Sequence, residues 1–178
     1  PRQNIYPGGM LESTRLWYRS TGSIWHGANV APATKHVLTL GGSCGTAVNQ
    51  EFVLTLCDYL MFYPLVDMDN DGLQEFSNTI TLPRYPDGLG VRAMLVVTND
   101  SGPSAHSFNI SYTNSDGVSG RSLPQEVSCI PSSTYGRIAH CGGQAKAYGP
   151  FLPFADGDKG IRSVETIQLS AASGAGWA

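Results

Sequence analysis

Charged side chains are scarce in this sequence: Asp, Glu, Lys and Arg together supply 14% of its 178 residues, against roughly 25% in an average soluble domain. The eleven Lys and Arg are scattered and the net charge is −3, so no basic stripe is available for nucleic acid. No run of 18 apolar residues is present, which argues against a transmembrane helix. The opening residues, PRQNIYPGGML, lack the apolar core of a signal peptide. We therefore expect a chain that binds neither nucleic acid nor membrane.

The motifs that mark common catalytic and metal sites are also missing. None of the four histidines belongs to an HExxH or His-x-His pattern, and the cysteines form no CxxC pair, so no zinc site is predicted. The stretch GGSCGT (residues 41–46) differs from the G-x-S-x-G nucleophile turn. In AHCGG, the adjacent His140 and Cys141 would point to opposite faces of a strand. We expect no enzyme activity and no cofactor.

The four cysteines are expected to be reduced thiols, several of them buried as small apolar side chains, because no secretion signal is visible. Their spacing leaves one or two disulfides open. These residues are Cys44, Cys57, Cys129 and Cys141.

Short runs rich in Val, Ile, Thr, Tyr and Phe, separated by turn residues, predict β-strands. In SFNISYT, residues Phe108, Ile110 and Tyr112 share one face, which predicts a half-buried antiparallel strand over His106–Thr113. The same alternation predicts a strand over Ser163–Ser170, with Ile167 and Leu169 on one face. Further strands are predicted over Thr14–Ser20, Lys35–Leu40, Asn78–Leu82 and Val91–Thr98. The apolar run Glu51–Tyr63 is long enough for a helix, but its aromatic and β-branched residues favour a strand.

This pattern predicts an all-β protein of roughly eight to ten short strands, spaced as in antiparallel sandwiches and barrels. The 21 glycines and 11 prolines fall mostly in turn clusters between those strands. We interpret residues 1–30 as an N-terminal arm or first strands, and residues 31–178 as a single β-sandwich domain.

The stretch DMDNDG resembles the start of a calcium-binding loop. Asp67, Asp69 and Asp71 supply oxygen ligands at positions 1, 3 and 5, and glycine follows at position 6. Position 12, where such a loop needs a bidentate Glu, is Asn78, and position 8 is Gln74 instead of an apolar residue. The alternative is a polar turn whose Asp and Asn side chains cap their own backbone. We favour the turn and keep calcium binding as the lesser hypothesis.

Three large aromatic side chains fall in the predicted arm without a clear period: Tyr6, Trp17 and Trp25. One hypothesis is that they contact a partner subunit or neighbouring copy when the arm becomes ordered there. The other is that they fill the core of this domain.

Three stretches together resemble a group of small structural proteins of tailed bacteriophages. They are DYLMFYPLVDMDNDGLQEFSNTITLPRYPDGLGVRAMLVV, ISYTNSDGVSGR and YGPFLPFADGDKGIRSVETIQLSAASGAG, and they span about residues 58–176, two thirds of the chain. The resemblance implies a capsid decoration or cement protein: a jelly-roll-like β-sandwich that forms homotrimers and binds the major capsid protein on the virion surface. It also implies that the acidic cluster is not a calcium loop, and that relatives continue beyond SGAGWA.

Other functions stay open on the sequence alone. A head fibre, spike or tail component would share the sandwich and carry a receptor- or glycan-binding face. A cell-surface lectin module would need a signal peptide. An enzyme would need titratable groups gathered in a cleft.

Overall fold

The computed structural model describes residues 11–12, 14–15, 30–34, 36, 56–129, 131–133, 138–139, 150–176 and 178. These residues form strands, turns and extended segments, without helix, so the all-β prediction is confirmed for them. No helix among them is long and apolar enough to cross a bilayer. The strands are β1 Leu11–Glu12, β2 Thr14–Arg15, β3 Met61–Phe62, β4 Gln74–Ser77, β5 Leu95–Val96, β6 His106–Asn114, β7 Arg121–Ser122, β8 Val127–Cys129, β9 Ile138–Ala139 and β10 Ile161–Leu169.

One antiparallel sheet of five strands is built around the two long strands, β6 and β10. Strand β10 pairs with β6 on one side and with β4 on the other. On the side of β6 away from β10, β7 pairs with residues 111–112 and β8 pairs with residues 106–108. Strand β1 extends the sheet beyond β4 as a parallel neighbour. Within the described residues the pairs β2–β3 and β5–β9 are separate two-stranded sheets, and the main sheet stays open.

Strand β6 alternates as its sequence predicts. Phe108, Ile110 and Tyr112 are 1%, 5% and 0% exposed, while the residues between them are half-buried. Each fully buried side chain of this size contributes roughly 1.5–3 kcal/mol relative to an exposed one. The face of β6 that packs on the core was therefore predicted correctly.

Strand β10 follows its predicted alternation only at its C-terminal end. Ile167 and Leu169 are buried, as expected. Its register with β6 shifts twice, between Ile161 and Ser163 and between Val164 and Thr166. Each irregularity inserts an extra residue and turns the strand relative to the sheet, so the five residues 162–166 are all half-buried and no longer alternate.

The core lies against one face of this sheet. It also includes residues from segments that precede and follow the strands, among them Val66, Met68, Leu152 and Phe154. Phe154 packs on Tyr112 with ring centroids 5.1 Å apart, and the guanidinium of Arg92 lies 5.3 Å from the centre of the Phe154 ring.

Several predicted strands are wrong in extent. The predicted strand Asn78–Leu82 is absent, because the strand there is β4 and ends at Ser77. The run predicted over Val91–Thr98 is a strand only at β5. Of Glu51–Tyr63, the structure describes residues from Leu56 onward, and only β3 is strand. Apolar content predicted these runs, but pairing with a neighbour decides whether such a run becomes a strand.

Asn78 and Tyr63 replace a neighbouring strand beside Val164 of β10. The Asn78 side-chain amide donates to the Val164 carbonyl oxygen at 2.8 Å. The Val164 amide donates to the Tyr63 hydroxyl oxygen at 3.0 Å, and that hydroxyl donates to the Asn78 Oδ1 at 2.7 Å. Burial raises the pKa of Tyr63 to about 12. The pair thereby satisfies two backbone groups that a strand edge would leave open.

We expect the substitution Asn78→Ala to lower the free energy of unfolding by about 1–2 kcal/mol, because the Val164 carbonyl and the Tyr63 hydroxyl each lose a partner. Urea unfolding at constant m-value measures this. The matched control is Asn99→Ala, since among the described residues the Asn99 side chain accepts from the adjacent Asp100 amide, at 3.0 Å. Equal losses in the two variants would contradict this role for Asn78.

Candidate functional site

The acidic loop, Asp67–Gln74, folds on its own side chains. The Asp67 Oδ1 accepts from the Asp69 amide at 2.9 Å, and the Asn70 Oδ1 accepts from the Gly72 amide at 2.9 Å. These are the capping hydrogen bonds that the turn interpretation predicts. Asp67, Asp69 and Asp71 are therefore neighbours in one loop, and Asp71 is exposed.

Gln74, at the end of the acidic loop, closes the loop from the inside. Its side-chain Nε2 donates to the carbonyl oxygens of Asp67 at 2.8 Å and Asn70 at 3.3 Å, and its Oε1 accepts from the Asp67 amide at 2.9 Å. A buried amide group thus binds backbone groups of the loop. Among the described residues, no three His, Cys, Asp or Glu side chains are arranged to hold a metal ion.

The acidic loop also anchors the C-terminal segment, residues 170–176 and 178. Asp69 Oδ1 accepts from the Gly174 amide at 2.7 Å. Met68, which is fully buried, bonds through its backbone to Gly176 and Ser173 at 3.1 and 2.8 Å. One chemical role of the Asp69 carboxylate is therefore to hold this segment.

We expect a calcium titration followed by calorimetry to give no binding heat. The physical reason is that backbone amides already bond to the Asp67 and Asp69 carboxylates, and Gln74 binds inside the loop. The comparison variant is Asp69→Ala, which we expect to melt at a lower temperature because it frees the Gly174 amide. Binding heat in the parent protein that disappears in Asp69→Ala would restore the calcium hypothesis.

A second polar cluster surrounds Asp158, whose side chain is 5% exposed. The hydroxyl of Tyr112, itself fully buried, donates to its Oδ2 at 2.6 Å and accepts from the Ala155 amide at 2.9 Å. Asn114 Nδ2 donates to the Asp158 Oδ1 at 2.7 Å, and the Arg121 Nε donates to the Oδ2 at 3.0 Å. One carboxylate thus joins the end of β6 to β7 and to the turn before β10.

The two acidic groups of this cluster titrate far from neutral pH. Burial, and then the hydrogen bond to Asp158, raise the pKa of Tyr112 to about 12. Burial works to raise the pKa of Asp158, but the hydrogen bonds from Tyr112, Asn114 and Arg121 outweigh it, and the pKa lies below its ordinary value. At physiological pH the cluster therefore contains an ionised Asp158 carboxylate and a neutral Tyr112 phenol. This state suits a structural role, joining segments by hydrogen bonds, better than it suits proton transfer.

A third contact holds the turn between β6 and β7. Glu165 accepts from the Ser111 hydroxyl at 3.0 Å, from the Thr113 hydroxyl and from the Gly120 amide at 3.1 Å. Burial works to raise the pKa of Glu165, but these three donors lower it. Arg162 adds a bond to the Ser115 carbonyl oxygen at 2.7 Å.

Four large apolar side chains lie exposed on the two segments 56–59 and 85–89, and we use the name tyrosine surface for this set of residues: Leu56, Tyr59, Tyr85 and Leu89. Between 51% and 55% of each is exposed. An ion pair between Asp58 and Arg84, the chain neighbours of the two tyrosines, joins the segments.

The loop of Tyr85 and Leu89 is held firmly against the body of the protein. Tyr85 has a φ of 54°, a left-handed conformation that costs a residue other than glycine roughly 1–2 kcal/mol. The Gly88 amide donates to the Tyr85 carbonyl at 2.7 Å, and the Arg162 Nε donates to the Asp87 carbonyl at 3.0 Å. Leu89 forms an isolated antiparallel bridge to Gly160, the residue before β10. The backbone thus presents Tyr85 outward from a fixed position.

Comparison with known proteins gives no match. No family model, no curated protein and no solved structure matches this chain.

The predicted contact residues Tyr6, Trp17 and Trp25 lie outside the described residues. So do Cys44 and Cys141, whereas Cys57 and Cys129 are free thiols as expected. Burial raises the pKa of Cys129 to about 12. Strands β1 and β2 fall within the segment interpreted as an arm or first strands, and the boundary at residue 30 stays a prediction.

Sequence reasoning missed the Asp158 cluster and the tyrosine surface. It did place Tyr112 on the buried face of β6, and a buried tyrosine hydroxyl normally has a hydrogen-bond partner. The signal was therefore present, but its partner lies 46 residues away in the chain. No comparable sequence signal predicts that Tyr59 and Tyr85 are exposed, because aromatic residues in turns occur both buried and exposed.

Proposed function

We propose that this chain is a structural protein of a tailed-bacteriophage virion, a decoration or cement protein that binds the major capsid protein on the head surface and stabilises the shell. The observation that carries the proposal is the tyrosine surface. Large apolar side chains on a fixed loop are typical of surfaces that bind another protein. The resemblance of residues 58–176 to phage structural proteins supports the identity of that partner.

The finer architecture belongs to the same proposal. The five-stranded antiparallel sheet would be one layer of a jelly-roll-like sandwich. The short pairs β2–β3 and β5–β9 would belong to the other layer. Three such domains would form a homotrimer. The tyrosines suit this role because they offer large contact areas at a low entropy cost.

Stabilisation by such a protein follows from mass action. A protein that binds the mature shell and not its precursor lowers the free energy of the mature shell only. Each contact can be modest, because a trimer engages several capsid subunits at once and its second and third contacts become intramolecular.

The test is co-sedimentation of the purified protein with mature shells of the phage that encodes it. We expect the substitution Tyr85→Asn to weaken binding roughly 10- to 100-fold, as loss of an interface hot spot does. Asn tolerates the left-handed backbone, so the loop keeps its conformation.

The matched control is Leu73→Asn, because Leu73 is 56% exposed but lies outside the tyrosine surface. Thermal melting of both variants verifies that they are folded. Unchanged sedimentation of Tyr85→Asn, or an equal loss in Leu73→Asn, would remove the tyrosine surface from the proposal.

A further inference from the structure

Strands β6 and β8 place a histidine opposite a cysteine on the core side of the main sheet. The register pairs His106 with Cys129, and Phe108 with Val127. Side chains alternate between the two faces of a strand, and these four residues all occupy buried positions. His106 and Cys129 are each 6% exposed. Because directly opposed residues have Cβ atoms about 4.5–5.5 Å apart, the imidazole and the thiol are buried neighbours.

The two nitrogens of the His106 ring differ in their partners. Nδ1 lies 3.1 Å from the carbonyl oxygen of Ser104, and a carbonyl can only accept, so Nδ1 carries the ring hydrogen. Nε2 then presents a lone pair, and although it is buried it has no hydrogen-bond partner among the described residues. Such unpaired buried atoms are uncommon. A histidine that binds a metal ion has this arrangement, because its other ring nitrogen donates to a carbonyl and fixes the tautomer.

Cys129 supplies a second donor atom beside that nitrogen. Its thiol is free, and burial raises its pKa to about 12, so the sulfur carries a proton. No hydrogen bond joins this thiol to Nε2 of His106. One ion bound by both atoms would give each of them a partner. Thiolate sulfur selects soft ions such as Cu(I), and imidazole nitrogen also binds copper.

The charge of the two ligands favours a monovalent ion. A thiolate and a neutral imidazole carry one negative charge between them, so Cu(I) leaves the buried site neutral. A divalent ion such as Zn(II) would leave a net positive charge in the core, which is costly. The ligand number agrees with this choice. Cu(I) accepts two ligands, whereas structural zinc takes four, and no three His, Cys, Asp or Glu side chains gather among the described residues.

We propose that His106 Nε2 and Cys129 Sγ bind one Cu(I) ion between β6 and β8. The ion forms a bond to each atom, the S–H bond of Cys129 breaks, and its proton leaves to the solvent without any transfer of electrons. The ion enters at the start of β6, where the preceding residues Ser104 and Ala105 are exposed. Once bound, it fastens β8, a strand of three residues, to β6. This site needs no capsid, so it is independent of the proposed function.

Competition against the coloured Cu(I) chelator bathocuproine disulfonate, in the absence of oxygen, tests the site in the full chain. We expect Cys129→Ser and His106→Phe each to bind one tight equivalent of Cu(I) fewer than the parent protein. The lost equivalent should weaken by more than the roughly 10- to 100-fold that a change outside the ligands costs. A parent protein without a tight equivalent, or an unchanged number in either variant, would overturn the proposal.

The matched controls are Cys57→Ser, at a partly exposed cysteine, and His36→Gln, at an exposed histidine. Both should bind as many tight equivalents as the parent protein, and an equal loss in them would contradict the site. Saturation with Cu(I) should also raise the melting temperature of the parent protein, because the ion binds the folded state. The rise should be absent in Cys129→Ser.

X-ray absorption at the copper edge tests the ligands in the parent protein, so it does not depend on the folding of any variant. With one equivalent of Cu(I) bound, we expect two neighbours of the ion, one sulfur and one imidazole nitrogen. Two sulfur neighbours would show that cysteines alone hold the ion, and would overturn the assignment of His106.

Discussion

Replacing Gly160 by alanine is expected to lower the free energy of unfolding by about 4 kcal/mol. A Cβ at this position would lie 2.0 Å from the carbonyl oxygen of Gly88 and 2.8 Å from the Gly90 amide nitrogen. Both are backbone atoms, so the clash cannot be relieved by a side-chain rotation. The two segments would have to separate, which breaks the 3.0 Å bond from the Gly90 amide to the Lys159 carbonyl and the bridge between Leu89 and Gly160.

The control for this prediction is Gly157→Ala, three residues earlier in the same turn. Gly157 has a φ of +88°, but nothing lies within 4 Å of an added Cβ. Its replacement should therefore cost only the left-handed backbone strain, roughly 1–2 kcal/mol. Urea unfolding of both variants gives the comparison. A loss at Gly160 no greater than that at Gly157 would show that the two segments do not approach as closely as described.

Removing the carboxylate in Asp158→Ala is expected to cost about 3 kcal/mol at neutral pH. The loss leaves the Tyr112 hydroxyl and the Asn114 amide, both buried, without their acceptor, and unpaired buried groups are costly. Arg121 loses its ion-pair partner as well. Urea unfolding measures the difference from the parent protein.

The difference in the free energy of unfolding between the parent protein and Asp158→Ala depends on pH, because the pKa of Asp158 differs between the folded and unfolded states. The pKa of Asp158 is lowered in the folded state, so its stabilisation is fully present above the ordinary Asp pKa of about 3.9 and is lost as pH falls through the folded pKa. The pKa of Glu165 is also lowered in the folded state. The gap between parent and Asp158→Ala should therefore narrow between neutral pH and about pH 3.

The control for Asp158 is Asp116→Ala, which removes an exposed carboxylate from the neighbouring turn. It should change stability by less than about 0.5 kcal/mol at either pH. A gap for Asp158→Ala that stays constant with pH, or that matches the Asp116 variant, would contradict the role given to the Asp158 cluster.

Local pattern was enough to predict the strand class and the buried face of β6, because period-two alternation reports which side chains leave water. It failed in the middle of β10, where two register irregularities change the facing residues. Such irregularities arise from pairing with β6 and leave no mark in the alternation itself. The second layer of the predicted sandwich likewise depends on long-range contacts. The residues that the structure describes form strands without helix, and five of these strands make one antiparallel sheet.

The acidic loop shows the opposite difficulty. The spacing of Asp67, Asp69 and Asp71 fits both a calcium loop and a capped turn, and Gln74 and Asn78 weighed against calcium. The geometry adds what spacing lacks: Gln74 lies inside the loop, and Asp69 bonds to a residue 105 positions further along the chain. Contacts over such separations, like those of Asp158 and Asn78, are set by the fold and not by neighbours in sequence.

The copy number of this chain in purified virions tests the proposed function most directly. Quantitative mass spectrometry against the major capsid protein measures it. A decoration protein follows the symmetry of the capsid lattice, so we expect on the order of hundreds of copies per particle. About a dozen or fewer would contradict the shell role and indicate a neck, tail or fibre component, and absence from the particle would contradict a virion protein altogether.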